Sequence, residues 1–244
     1  MPQGCTGKER ICRAEGKSTM RGIIVDIEGL DGSGKETQSK LLYDNMKELY
    51  PDRVKYVSFP DYESKSSALV SMYLGGEFGD DPKEINPYAV SSFFAVDRFS
   101  SYKKDWEKDY SQGKLIIANR YVCSNSLYQM PKLKKDKWNE YLTWLYDYEY
   151  NKLGLPVPDI TFYLKVPIEV SQRLMDKRYS GDSSRKDLHE SNVEFLNLCF
   201  DAAEYGAKNG KWKIVDCVKD NKLRTVEEIQ KEILLSVRDI YQNS

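Results

Sequence analysis

"GIIVDIEGLDGSGKET", residues 22–37, joins a short apolar run to a glycine-rich turn and the start of an amphipathic stretch. The run "GIIVDIE" reads as a strand covered on both faces, and "KETQSKLLYDNMKEL" reads as a helix with Leu41, Leu42, Met46 and Leu49 along one side. Between them Gly29–Lys35 has the order G-x-x-x-x-G-K. Glycines let a backbone wrap closely around phosphates, a helix start presents unpaired N–H groups at the positive end of its dipole, and Lys35 adds a point charge. Gly29, Leu30, Asp31, Gly32, Ser33, Gly34, Lys35, Glu36 and Thr37 are therefore expected to hold the phosphates of a nucleoside triphosphate. One position departs from the usual pattern. A Ser or Thr hydroxyl that holds Mg²⁺ normally follows the lysine, and here Glu36 stands in its place. A carboxylate in the first turn is favoured by the helix dipole by ~0.3–1 kcal/mol, which is one reading of Glu36. Thr37 does not restore the hydroxyl, since one residue turns the side chain by roughly 100° around a helix.

Further along, strands are expected near 22–28, 54–59, 114–118, 160–166 and 212–216, with helices between them. That alternation is the α/β doubly wound pattern of a five-stranded parallel sheet. "TVEEIQKEILLSVRDIY" closes the chain as a helix with Thr225 as its N-cap. The 244 residues suit one domain over residues 21–244, and the polar, aperiodic residues 1–20 are expected to form a disordered extension. Thirty-seven basic residues against 38 acidic ones give a net charge of -1, which excludes a duplex-coating nucleic-acid binder and favours a small partner. Without a run of about eighteen apolar residues or a signal-peptide h-region, the chain reads as soluble and cytoplasmic, with no membrane partner. Cysteines 5, 12, 123, 199 and 217 form no C-x-x-C pair and read as reduced thiols.

In "FFAVDRFSSY", residues 93–102, Phe94 and Arg98 are four apart and share a helix face, where a ring and a guanidinium can sandwich a planar base. The same spacing also suits a core ring beside a surface ion pair. "KLIIANRYVCSNSLYQ" runs a strand into Asn119, Arg120 and Tyr121, at the strand end where open α/β sheets bind ligands. The lone histidine, His189, has no evident triad partner and reads as a surface residue. "WNEYLTWLYDYEY", residues 138–150, suits either a helix interface or the core.

Together "IEGLDGSGK", "FP" at 59–60, "FFAVDR", "NRYVCSNSLYQ", "PDITFYLKV" and "IEVSQRLMDKR" resemble the thymidylate kinase family over roughly residues 22–241. The resemblance implies a P-loop three-layer α/β/α fold with a mobile lid, a homodimer, and transfer of a phosphoryl group from Mg²⁺-ATP to dTMP. It implies that Phe94 stacks on the base, Arg98 contacts it, Gln129 lies near it, Arg120 binds the acceptor phosphate and Asp31 reaches the sugar 3′-hydroxyl. In "RYSGDSSRK" it implies lid cations at Arg178, Arg185 and Lys186. Lys35, Arg120 and Arg185 would then carry the catalysis. A nucleoside monophosphate is already anionic at pH 7, so alignment and positive charge are the main requirements.

Two departures from the family pattern bear on this. Asn119 stands where the family usually has Asp, and Tyr62 stands where an arginine often follows "FP". Glu36 and Asn119 look like the usual metal pair with acid and neutral polar exchanged, so both are candidate Mg²⁺ ligands. Another nucleoside monophosphate or a deoxynucleoside remains an alternative acceptor, the latter with Glu28 or Asp31 as general base. A catalytically silent nucleotide-binding module is the alternative of a different class.

Overall fold

The structure, a computed structural model, describes residues 21–178, 187–190 and 192–243. In chain order its elements are β1 (Ile23–Glu28), α1 (Lys35–Leu49), β2 (Val54–Ser58), α2 (Ala68–Leu74), α3 (Pro87–Ser101), α4 (Glu107–Ser111), β3 (Leu115–Asn119), α5 (Cys123–Tyr128), α6 (Trp138–Tyr146), β4 (Ile160–Lys165), α7 (Ile168–Arg178), α8 (Val193–Gly210), β5 (Lys213–Asp216), the short hairpin β6 (Val218–Lys219) and β7 (Lys222–Leu223), and α9 (Val226–Gln242). The main sheet has the order β2-β3-β1-β4-β5 with every pairing parallel, as the alternating pattern predicts.

All six residues of β1 are buried, because helices cover both faces of the sheet. Two carboxylates are buried among them. Burial pushes the Asp26 carboxyl well above the ordinary range, and the Thr161 hydroxyl donates to it at 3.3 Å. Glu28 serves the loop after β3, as described below. One apolar cluster joins Val25, Ile27, Leu42, Met46 and Phe162 to Ile229 and Ile233 of α9. A second, on the other face of the sheet, joins Ile24, Ile116, Trp106 and Tyr121 to Trp138, Tyr141, Leu142 and Leu145 of α6. The aromatic segment 138–150 thus supplies core, which periodicity alone leaves open.

In α1 the buried face is Lys35, Gln38, Ser39, Leu42 and Met46, whereas Leu49 is exposed. The expected four-residue stripe therefore ends a turn early, and Tyr50 packs against the core in place of Leu49. At α9 the expected Thr225 cap forms a full capping box: its hydroxyl accepts the Glu228 N–H at 3.2 Å, and the Glu228 carboxylate accepts the Thr225 N–H at 2.9 Å. Cys123, Cys199 and Cys217 are buried free thiols.

Register places the site. Asn119, the last residue of β3, lies opposite Ile27 of β1 on one side and Ser58 of β2 on the other. Three strands therefore end level with one another. The chain runs from β1 outward to β2, returns through β3, then crosses to β4 on the far side of β1, so a crevice opens at this end of the sheet.

Candidate active site

A cleft of about 820 Å³ occupies that crevice. Its floor is the glycine-rich turn, Asp31 to Gln38. Gly32 and Gly34 have φ of 77° and 82°, the left-handed region that glycine enters without the steric cost of a Cβ. One wall comes from Phe94 and Arg98 of α3. Asn119, Arg120, Tyr128 and Gln129 line the cleft as well, as do Arg224, Val226 and Ile229 beside the β6–β7 hairpin.

The charges converge on one carboxylate. Lys35 Nζ donates to Asp31 at 3.0 Å and to the Leu30 carbonyl at 3.1 Å, Arg120 Nη2 pairs with the same Asp31 oxygen, and the Tyr128 hydroxyl donates to the other at 2.7 Å. Burial raises the Asp31 carboxyl, but Arg120 and Lys35 outweigh it and hold the group far below the carboxylate range. Lys35 responds in the opposite direction, pushed down to about 8 by burial and by the neighbouring Arg120 charge. Two cations thus face one anion, an arrangement that an incoming phosphate can enter by taking over Asp31's partners.

Arg120 reaches this position through its backbone. Its φ of 66° is unusual for a residue with a Cβ and costs on the order of 1 kcal/mol or more. Glu28 supports the strained turn: its carboxylate accepts the Tyr121 N–H at 2.9 Å and the Ser124 hydroxyl at 2.8 and 2.9 Å. Both Glu28 oxygens are thereby engaged, and Asp31 is a very weak base.

Phe94 and Arg98 both line the cleft, as their spacing predicts, but Arg98 is not part of a surface ion pair. It is 1 % exposed and forks onto Glu149, with Nε donating at 2.7 Å and Nη2 at 2.6 Å, while Nη1 donates to the Tyr121 carbonyl at 3.2 Å. The adjacent Asp97 accepts the Asp61 N–H at 2.8 Å and the Ser66 hydroxyl at 2.7 Å, tying down the segment that carries Tyr62. Gln129 is buried beside the Tyr73 hydroxyl, with neither amide atom in hydrogen-bonding geometry.

Glu36 and Asn119 differ in setting. Glu36 is half exposed and accepts Lys40 Nζ at 2.7 Å, one turn along the helix. Asn119 is 8 % exposed; its Nδ2 donates to Ser58 Oγ at 3.0 Å and its Oδ1 has no hydrogen-bond partner. An orphaned carbonyl oxygen and a carboxylate lining the same cleft are hard donors, and they fit a cation that keeps most of its water, as Mg²⁺ does. No cluster of three His, Cys, Asp or Glu side chains exists among the described residues.

His189 overturns its reading as a surface residue. It is 4 % exposed, lines the cleft, stacks on Tyr128 at 4.9 Å and 10°, and meets the Tyr73 hydroxyl through Nε2 at 2.6 Å. Beside it, Asp187 accepts the backbone N–H of His189 and of Glu190, each at 2.9 Å, and burial together with Asp31 pushes its carboxyl up to about 7. These residues, with Glu149 and Tyr128, are what the sequence reading missed; Tyr128 was inside a quoted motif, while the others had no spacing to mark them. Arg185, Lys186 and the Arg178 side chain lie outside the described residues.

Comparison with known proteins adds the lineage. The chain is 28% identical over 200 residues to the thymidylate kinase of Mycobacterium tuberculosis H37Rv, covering 79% of this chain and 91% of that protein. It is 27% identical over 220 residues to the Plasmodium falciparum thymidylate kinase, covering 90% and 91%. Its fold matches a thymidylate kinase structure from Candida albicans with TM-score 0.67 at 22% identity, covering 92% of this chain and 94% of that one, and one from Ehrlichia chaffeensis with TM-score 0.61 at 20% identity, covering 89% and 99%. Since the family model described as thymidylate kinase runs from residue 27 in the first strand to residue 233 in the last helix, the chain belongs to the thymidylate kinase family.

Proposed function

We propose that the protein transfers the γ-phosphoryl group of Mg²⁺-ATP to dTMP, giving dTDP and ADP. The carrying observation is the meeting of Lys35 and Arg120 on Asp31, one cation from the phosphate loop and one from the end of β3. A reaction that brings two polyanions together needs positive charge on both sides of the transfer point, and it needs no strong base. In this reading residues Gly29–Thr37 hold ATP, Arg120 holds the acceptor phosphate, Phe94 stacks on thymine, Arg98 and Gln129 face its polar edge, and Asp31 reaches the sugar. Arg185 is proposed to add charge from the lid. The deciding assay is ADP release with Mg²⁺-ATP and dTMP, dUMP, dGMP, dCMP, AMP or thymidine. The expected result is a strong preference for dTMP. Preference for another acceptor overturns the substrate, and ATP binding without turnover of any of them overturns the activity.

Glu36 and Asn119 are proposed to hold Mg²⁺, which when bound supplies charge neutralisation at the β and γ phosphates. Glu36→Ala and Asn119→Ala are each expected to raise the Mg²⁺ concentration needed for half-maximal rate by about tenfold, with Glu36→Thr partly rescued by Asn119→Asp. A wild-type Mg²⁺ titration for Glu36→Ala would return Glu36 to a helix-start role with Lys40.

A second copy of the chain is the proposed partner, and the cytoplasm the proposed location. Leu69, Phe78, Val96 and Phe99, on α2, α3 and the turn between them, are exposed apolar side chains that support such an interface. Val96→Glu is expected to shift the protein from dimer to monomer in sedimentation velocity; a monomeric wild type refutes the dimer. No helix among the described residues is long and apolar enough to cross a membrane.

A further inference from the structure

The phosphate loop and the turn that carries Arg120 leave the sheet from different strands, and one buried side chain joins them. Glu28 is the last residue of β1 and passes directly into Gly29 of the loop. In the register of the sheet Ile27 lies opposite Asn119, so Glu28 and Arg120 would form the next pair. They do not, because the left-handed backbone of Arg120 takes the chain out of the sheet. The Ile27 carbonyl accepts the Arg120 N–H at 3.1 Å as the last rung of the ladder. The following N–H, that of Tyr121, is caught at 2.9 Å by the Glu28 carboxylate in place of a backbone carbonyl. Three residues on, the Ser124 hydroxyl donates to both Glu28 oxygens, at 2.9 and 2.8 Å.

Tyr121 is held at each of its polar atoms. Its N–H is on Glu28, its carbonyl accepts Arg98 Nη1 at 3.2 Å, and its hydroxyl donates to the Pro156 carbonyl at 3.1 Å. Arg120 therefore starts from a fixed backbone, and its guanidinium ends on Asp31 of the phosphate loop. The hold on Glu28 differs from the other two in where it leads: it ties the Arg120 turn to the residue from which the phosphate loop departs. Its length matters. A carboxylate one methylene shorter cannot serve both Tyr121 and Ser124 without drawing the turn toward β1.

We propose that Glu28 is a positioning residue for phosphoryl transfer: its side chain sets the separation between the phosphate loop and Arg120, and so the alignment of donor and acceptor phosphates. A misplacement of about 1 Å between reacting groups can cost roughly 10²-fold in rate. Alignment belongs to the bound pair, so each substrate alone should bind nearly as well without it. The inference rests on the reading of the cleft as a kinase site.

The test separates reach from charge. Glu28→Asp keeps the carboxylate and shortens it, whereas Glu28→Gln keeps the length, with Oε1 able to accept the Tyr121 N–H and Nε2 able to donate to the Ser124 hydroxyl. With dTMP as acceptor, kcat is expected to fall by about 10–100-fold in Glu28→Asp and by less than about fivefold in Glu28→Gln. The Kd values of ATP and of dTMP, each measured alone by calorimetry, should stay within about threefold of wild type in both. Ser124→Ala removes one partner and leaves the carboxylate in place; it should lower kcat by about threefold or more, and its effect should shrink in the Glu28→Asp background, because the two residues act as one contact. A greater loss in Glu28→Gln than in Glu28→Asp would assign Glu28 a role through charge or proton transfer and overturns the proposal. So does a fall in dTMP affinity that accounts for the whole loss of rate. If neither Glu28 variant folds, Ser124→Ala decides alone, an unchanged kcat overturning the proposal. A wild type that turns over no acceptor overturns the functional reading and this inference together, whereas wild-type rates in the variants overturn this inference alone.

Discussion

Glu149→Ala is expected to lower the free energy of unfolding by about 3–5 kcal/mol, because it leaves the Arg98 guanidinium buried without its counter-charge. The two side chains are 1 % and 0 % exposed, so water cannot replace the lost carboxylate. Asn125 would lose an acceptor as well, since its Nδ2 donates to Glu149 at 3.0 Å. Denaturant unfolding measures the loss, and the double variant Arg98→Met/Glu149→Leu separates two consequences. Replacing a buried pair by apolar side chains of similar volume is often close to neutral, so the double variant should recover most of the stability. It should not recover use of dTMP, because the guanidinium proposed to face the base is gone. An unfolding midpoint for Glu149→Ala equal to that of the wild type would mean that Arg98 has no need of its partner.

Arg120→Ala is expected to reduce kcat/KM for dTMP by about 10²–10³-fold, the scale of removing one preorganised charge donor from a transition state. The KM for ATP should change far less, since the phosphate loop keeps its backbone donors and Lys35. Arg120→Lys should recover little of the loss, because an ammonium cannot reproduce the planar fork of a guanidinium. Steady-state kinetics with each substrate varied in turn checks all three statements. A variant that loses ATP affinity as severely as dTMP turnover would assign Arg120 to the donor phosphates instead of the acceptor.

Much of the architecture was legible in the sequence because each strand of a two-sided parallel sheet is a local apolar run, and each expected strand lies within two residues of the observed one. The phosphate loop was legible for a similar reason: its glycines, lysine and flanking elements are contiguous. What escaped was chemistry held together by the fold. Glu149 lies 51 positions from Arg98, inside an aromatic segment where a lone acid carries no periodic signal. His189 read as a surface residue because its partners, Tyr73 and Tyr128, are 116 and 61 positions away and on different helices. Glu36 shows the converse case. Its position in the motif suggests a metal, while the structure adds a lysine one turn on, so the local pattern alone supports two roles.

The strand order has a consequence for how the chain comes to be folded. β1 is the first strand made, yet its neighbours are β3 and β4, so its second edge is covered only when residues 160–165 arrive. At a synthesis rate of about 5–20 residues per second, this fully buried strand waits for roughly 7–26 seconds with an open edge. Non-local parallel pairing of this kind slows folding and exposes strand edges to other chains. Fragments ending before β4 should therefore associate with one another, and the segments between β1 and β4 must hold the nascent chain soluble until the sheet can close around its own centre.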